Sequence, residues 1–308
     1  MSDGSLMQAW ALGASLYVPA LHPDLVKIAN AEKVPQIKSM IICTEDAVAE
    51  QDVERCIESL AHFLPLIQRI DSRYRFIRVR NPTVLRRVLA LPGIDNLDGF
   101  VLPKFDSRQM PAYFELLQET SYSIMPTLET AAVFDAVAMR RLARQLARSS
   151  LRERIPVLRI GGNDLLNLLR IRRPRGLTWY ETPIAAVIAQ LVTTFIPSGF
   201  TLSAPVYDYL NDEQTLAREI GMDLAHGLVG KTAIHPTQIA LIQQHYAVSE
   251  PDYQDAQALL SIDSPAVFKQ NDAMCETATH IHWARQILCR HAHYGLRRAA
   301  HPTSLRSG

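Results

Sequence analysis

Short apolar runs, each four or five residues long, alternate with amphipathic stretches of helical length along most of this chain. The runs cover residues 14–18, 39–43, 75–79, 99–102, 122–125, 157–160 and 199–202. All are rich in β-forming residues and too short to be helices, as expected of parallel strands buried on both faces. The helical stretches between them cover 53–67, 83–90, 110–120, 132–147, 183–194 and 213–226. Repeated strand–helix alternation confines the chain to a parallel α/β fold, either an open doubly wound sheet or a closed barrel.

The placement of polar residues decides between the two. Charged groups stand at or just after almost every run: Glu45 and Asp46, Arg78 and Arg80, Lys104, Glu129, Asp164 and Asp208. Barrels distribute their chemistry over the C-terminal ends of several strands. Open sheets gather ligands at one switch point, usually behind a glycine-rich phosphate turn, and neither GxGxxG nor GxxxxGK[ST] occurs here. The expected fold is therefore a (β/α)8 TIM barrel, which needs roughly 250 residues. We place it at residues 1–248. From residue 249 to 308 the sequence reads as a polar helical extension, with no clear strand, packed on the barrel as a lid.

A formal net charge of +1 argues against a dedicated nucleic-acid or membrane protein. The four cysteines, Cys43, Cys56, Cys275 and Cys289, show neither CxxC nor zinc spacing. With no export-type start and no apolar run of about 18 residues, the cytoplasm is the expected compartment.

Two strand-end carboxylates, Glu129 and Asp164, are the least a protein offers to Mg²⁺, a hard ion that keeps several waters for a substrate to displace. The plain alternative is that both cap the helices that follow them.

Taken in order, the strand-end motifs resemble the HpcH/HpaI aldolase and citrate lyase β-subunit family. The resemblance is carried by Ser15-Leu16-Tyr17-Val18-Pro19 with Pro23-Asp24, Glu45-Asp46-Ala47-Val48, and Arg78 with Asn81-Pro82. It continues through Asp98-Gly99-Phe100-Val101-Leu102-Pro103-Lys104, Pro126 to Ala131, and Asn163-Asp164-Leu165. Two late elements, Ala204-Pro205 with Asp208 and Gly230 to Pro236, complete it. The resemblance implies Mg²⁺-dependent cleavage of a carbon–carbon bond beside a hydroxyl, in a hydroxy acid or its thioester, through a metal-stabilised enolate. It makes Glu129 and Asp164 the metal ligands and Arg78 a clamp on substrate oxygens, with Arg80 competing because Arg78-Val79-Arg80-Asn81-Pro82 carries one extra residue. Glu45 and Asp46 orient the arginine or metal waters. Pro126 and Lys104 border the substrate, Lys104 also pairing with a nearby carboxylate. Related lyases end a lid motif in an acidic residue that reaches a neighbouring subunit's site. Glu276 holds that position in Asn271-Asp272-Ala273-Met274-Cys275-Glu276, which implies an acid–base role and a homotrimer or homohexamer.

Two features depart from the family. Gly13-Ala14 stands where citrate-lyase-like members carry a coenzyme A-binding Arg, and Ala266 to Lys269 replaces a glycine-rich approach to the lid. Both speak against an acyl-CoA and for a small oxo or hydroxy acid. They match a divergent branch resembling lyase-like proteins encoded near tellurite-resistance and stress genes. A separate oddity is a basic stretch of 11 arginines between Arg140 and Arg175, against Glu153 and Asp164 as its only acids. This is either a solvated face balanced by acids elsewhere, a subunit contact, or an anion site. The competing functions are therefore a non-catalytic barrel that binds an anionic partner, and a metal-dependent enzyme acting on a phosphorylated or nucleotide-like precursor. Aromatic interleaving is absent and the overall charge is near neutral, which ranks nucleic acid last among these partners.

Overall fold

The computed structural model describes residues 3–46 and 48–297. Eight parallel strands form the barrel: β1 (Ala14–Pro19), β2 (Ser39–Cys43), β3 (Tyr74–Arg78), β4 (Gly99–Leu102), β5 (Ser123–Leu128), β6 (Leu158–Ile160), β7 (Leu202–Ser203) and β8 (Lys231–Ala233). The strand order is β7-β6-β5-β4-β3-β2-β1-β8, and a parallel bridge between Ala204 and Lys231 links the two end strands. The helices are α1 (Asp3–Leu12), α2 (Leu25–Ala29), α3 (Val53–Phe63), α4 (Pro82–Leu89), α5 (Met110–Leu117), α6 (Ala136–Ala147), α7 (Asn163–Leu168), α8 (Ile184–Phe195), α9 (Glu213–Ala225) and α10 (Pro236–His245).

Local sequence explains where the helices begin. The Asn81 side chain accepts from the Val84 amide while Pro82 occupies the first turn, where its missing N–H costs nothing. Asp135 caps α6 and Asp212 caps α9 in the same way. In α6, Met139, Leu142, Ala143 and Leu146 recur at helical spacing and are buried.

Inside the barrel, Leu12, Ile41, Phe76, Val101, Met125 and Val157 pack into one apolar layer. Leu12 comes from α1, so this helix helps to stop the N-terminal end. Two residues further along three of these strands the lumen turns polar, with Arg78 after Phe76, Thr127 after Met125 and Arg159 after Val157.

By internal contacts the chain divides into one unit ending at Ile242 and a second beginning at Gln243. The second contains α11 (Glu250–Leu259), a hairpin of β9 (Val267–Gln270) and β10 (Ala273–Glu276), and α12 (Thr277–Tyr294). The hairpin corrects the reading of this region as free of strands. Asn271 and Asp272 form a two-residue turn with φ of 47° and 60°, the left-handed geometry of a type I′ hairpin.

Candidate active site

Five strand ends bring charge to one rim. Arg78, the last residue of β3, is buried, and its guanidinium holds three carboxylates: Glu45 Oε2 at 2.6 Å, Asp46 Oδ2 at 2.8 Å and Glu129 Oε1 at 3.0 Å. Its Nε is buried with no hydrogen-bond partner among the described residues. Lys104 follows β4 with a left-handed backbone (φ 49°). That conformation sends its amide to Glu129 Oε1 at 2.8 Å, while its ammonium meets Glu45 and lies 3.3 Å from Asp164 Oδ1 and 3.5 Å from Asp46 Oδ1. Asp164 sits in the first turn of α7, beyond β6.

Glu129 is the most tightly confined of these acids. It is 4% exposed, and burial together with the nearby Asp164 charge pushes its pKa up to about 7 against the opposing pull of Arg78. Its Oε1 is used twice, whereas Oε2 accepts no hydrogen bond from a described residue. A Cβ at Gly161 would fall 2.3 Å from the Glu129 Cβ and 2.5 Å from Oε2, so only glycine leaves room for this carboxylate. Burial also raises Glu45, while Arg78 and Lys104 hold Asp46 below the ordinary range against the opposing effect of its own burial.

The structure thus joins Arg78, Glu45, Asp46, Lys104, Glu129 and Asp164 in one cluster. The Lys104 ammonium stands on Asp164, drawn in by three carboxylates at once. Arg80 lies outside the cluster, because its Nη2 donates to the carbonyls of Val48 at 2.6 Å and Glu45 at 3.4 Å. Pro126 is buried on β5, but strand alternation turns it toward the helical layer, opposite in sense to Thr127 and Glu129. Ala47 lies outside the described residues. Glu276 ends β10 in the second unit, where its carboxylate accepts from Thr279 Oγ1 at 3.1 Å.

The basic stretch resolves into separate parts. Arg140, Arg141, Arg144 and Arg148 lie exposed on the outer face of α6. Arg173 is instead buried, paired with Glu219 at 2.7 Å and Asp208 at 2.8 Å and packed on Trp179. Glu219 also meets the buried Lys231, which in turn pairs with Asp223. Arg173 is accordingly a framework residue between the loops and α9, not a free anion site.

Sequence reasoning passed over Arg159, Thr127 and Ser203. The available signal was a charged residue in the middle of the apolar run Val157-Leu158-Arg159-Ile160.

Among the described residues no group of three or more His, Cys, Asp or Glu side chains is placed to hold a metal. A hard divalent ion that keeps most of its waters needs only one or two carboxylates. Glu129 Oε2 and the Asp164 carboxylate supply such a donor set, all oxygen.

The family of C–C bond lyases of the TIM-barrel fold matches residues 6–296 of the sequence. The chain belongs to that family. A search of curated proteins finds no match for this lyase-family chain. Among solved structures, the CitE protein of Mycobacterium tuberculosis in complex with magnesium, acetoacetate and coenzyme A is similar with TM-score 0.67 and 22% identity, over 92% of this chain and 99% of that one. The citrate lyase beta subunit of the same organism, complexed with oxaloacetate and magnesium, gives TM-score 0.57 and 20% identity over 78% and 99%. Haloferax volcanii malate synthase, in a magnesium/glyoxylate complex, gives TM-score 0.63 and 16% identity over 74% and 73%. At these identities the likeness speaks for the fold of the lyase family. No helix among the described residues is long and apolar enough to cross a membrane.

Proposed function

We propose that this protein is a Mg²⁺-dependent lyase that cleaves or joins a carbon–carbon bond in a small 2-oxo or 2-hydroxy acid. One observation carries the reading. At the rim, four carboxylates (Glu45, Asp46, Glu129 and Asp164) face two cations, Arg78 and Lys104. With all four carboxylates ionised the excess is two negative charges, which one divalent ion would balance in a place where burial opposes ionisation of Glu129. Membership of the lyase family and the magnesium named in the similar complexes support the same choice.

Glu129 and Asp164 would hold the ion, which when bound supplies Lewis-acid charge for substrate oxygens. Arg78 fixes Glu129 and keeps its buried Nε–H as a spare donor. Lys104 stays charged, its pKa raised by Glu45, Asp164 and Asp46 despite burial, so it orients oxygens and does not shuttle protons. Glu276 is the proposed acid–base group, and assembly into trimers or hexamers is proposed with it. The substrate is proposed to be the free acid, since the residues that suggest coenzyme A binding are replaced.

The test is titration calorimetry with Mg²⁺. Wild type should bind the ion, and Glu129→Gln and Asp164→Asn should each weaken binding at least 100-fold while their circular dichroism is unchanged. Full Mg²⁺ affinity in both variants would overturn the reading. Glu276→Gln should retain the affinity and lose turnover.

A further inference from the structure

Four arginines of the described chain are buried: Arg75, Arg78, Arg159 and Arg173. Three of them are well compensated. Arg75 donates to the carbonyls of Ala29, Ile70 and Arg73, Arg78 has its three carboxylates, and Arg173 has two acids and two aromatic rings. Arg159 differs. It is 2% exposed, and its guanidinium crosses the lumen to two hydroxyls, Thr232 Oγ1 at 2.5 Å and Ser15 Oγ at 3.5 Å, with the Tyr17 ring centroid 5.5 Å away. No carboxylate among the described residues pairs with it. A buried guanidinium whose acceptors are hydroxyls and a ring face keeps an uncompensated positive charge.

Its neighbours in the ladder point the same way. Thr127 on β5 and Ser203 on β7 are in register with Arg159, so their side chains share its face of the sheet. Both are buried, and both hydroxyl oxygens lack any hydrogen-bond partner among the described residues. Barrel interiors at this depth are ordinarily filled by bulky branched residues. Here small hydroxyl residues, Ser15, Thr127, Ser203 and Thr232, surround one arginine instead. Two orphaned hydroxyls and an unpaired cation are the complement of an anion that accepts several hydrogen bonds.

We propose that Arg159, Thr127 and Ser203 form a second anion subsite inside the barrel, below the carboxylate rim, that takes the far carboxylate of a dicarboxylic substrate. Thr127 lies two residues before Glu129 on the same face, roughly 7 Å along the strand, a separation suited to a short diacid. Tyr17 links the two levels, with its ring 5.5 Å from Arg159 and 5.9 Å from Arg78. The planar guanidinium fork matches a carboxylate bidentately. The inference deepens the oxo-acid lyase reading and rests on it.

A matched pair of probes tests it: 2-oxoglutarate and 2-oxovalerate, which have the same chain length and differ in the terminal carboxylate. With Mg²⁺ present, wild type should bind 2-oxoglutarate at least tenfold more tightly by calorimetry. Arg159→Met should bring the two acids within about threefold, leaving the affinity for 2-oxovalerate and for Mg²⁺ unchanged. Ser203→Ala, a milder change, should reduce the preference severalfold and serves if Arg159→Met does not fold. Equal binding of the two acids by wild type, or a preference that survives these substitutions, overturns the subsite and leaves the lyase reading standing. If wild type binds neither Mg²⁺ nor either acid, both fall.

Discussion

Glu129 sits where a carboxylate resists ionising. Its pKa, raised from an ordinary 4.5 to about 7, means that the folded protein holds this proton more tightly than the unfolded chain does. The stabilising contribution is therefore fully present below the ordinary carboxylate range and is lost as pH rises through about 7. In metal-free protein, wild-type stability should fall relative to Glu129→Gln between about pH 5 and pH 8, by on the order of 2–3 kcal/mol. Urea denaturation of both proteins across that range checks this, and parallel curves would show that the group is not perturbed. Mg²⁺ competes with the same proton, so its affinity should climb with pH up to about 7 and then level off. Arg78 and Glu129 were legible as candidates because both stand at or soon after the end of an apolar run. Their contact was not, since it joins positions 51 residues apart, and neither periodicity nor local spacing carries that distance.

Among the elements, β1 to β6 were legible as short apolar runs, and β7, of two residues, only at the end of the run 199–202. β8 has three residues, too few for a period to register, and was visible only through the motif that contains it. The hairpin β9–β10 escaped for another reason. Val267 and Met274 are exposed, so its residues do not alternate cleanly between apolar and polar, and its turn is Asn271-Asp272, without the glycine that usually marks such a loop. Because Asp272 carries φ of 60°, Asp272→Gly should relieve backbone strain and stabilise the hairpin by about 0.5–1 kcal/mol. The Lys269–Asp272 pair that it removes is exposed and contributes little. Slower hydrogen exchange at the β9 and β10 amides is the expected readout; faster exchange would place the strain elsewhere.

At the scale of the molecule, a buried charge network ties the barrel to its helical coat. Lys231 of β8 meets Glu219 and Asp223 of α9, each at 2.8 Å, and Glu219 passes the link to Arg173. Removing one member leaves charges stranded away from water, so Lys231→Met should cost about 3–5 kcal/mol, read as a lowered midpoint in chemical denaturation with rim chemistry untouched in the surviving folded fraction. An unchanged midpoint would show the network to be dispensable. In the sequence these residues look like ordinary surface charges; only closure of the barrel buries them. The same closure has a consequence at the opposite end, where Leu12 and the ring of Ile41, Phe76, Val101, Met125 and Val157 fill the lumen. With its base stoppered in this way, the lumen is left to the carboxylate rim as its way in. On the proposed lyase reading, the product half held by Arg159 would therefore leave last and would act as the stronger product inhibitor.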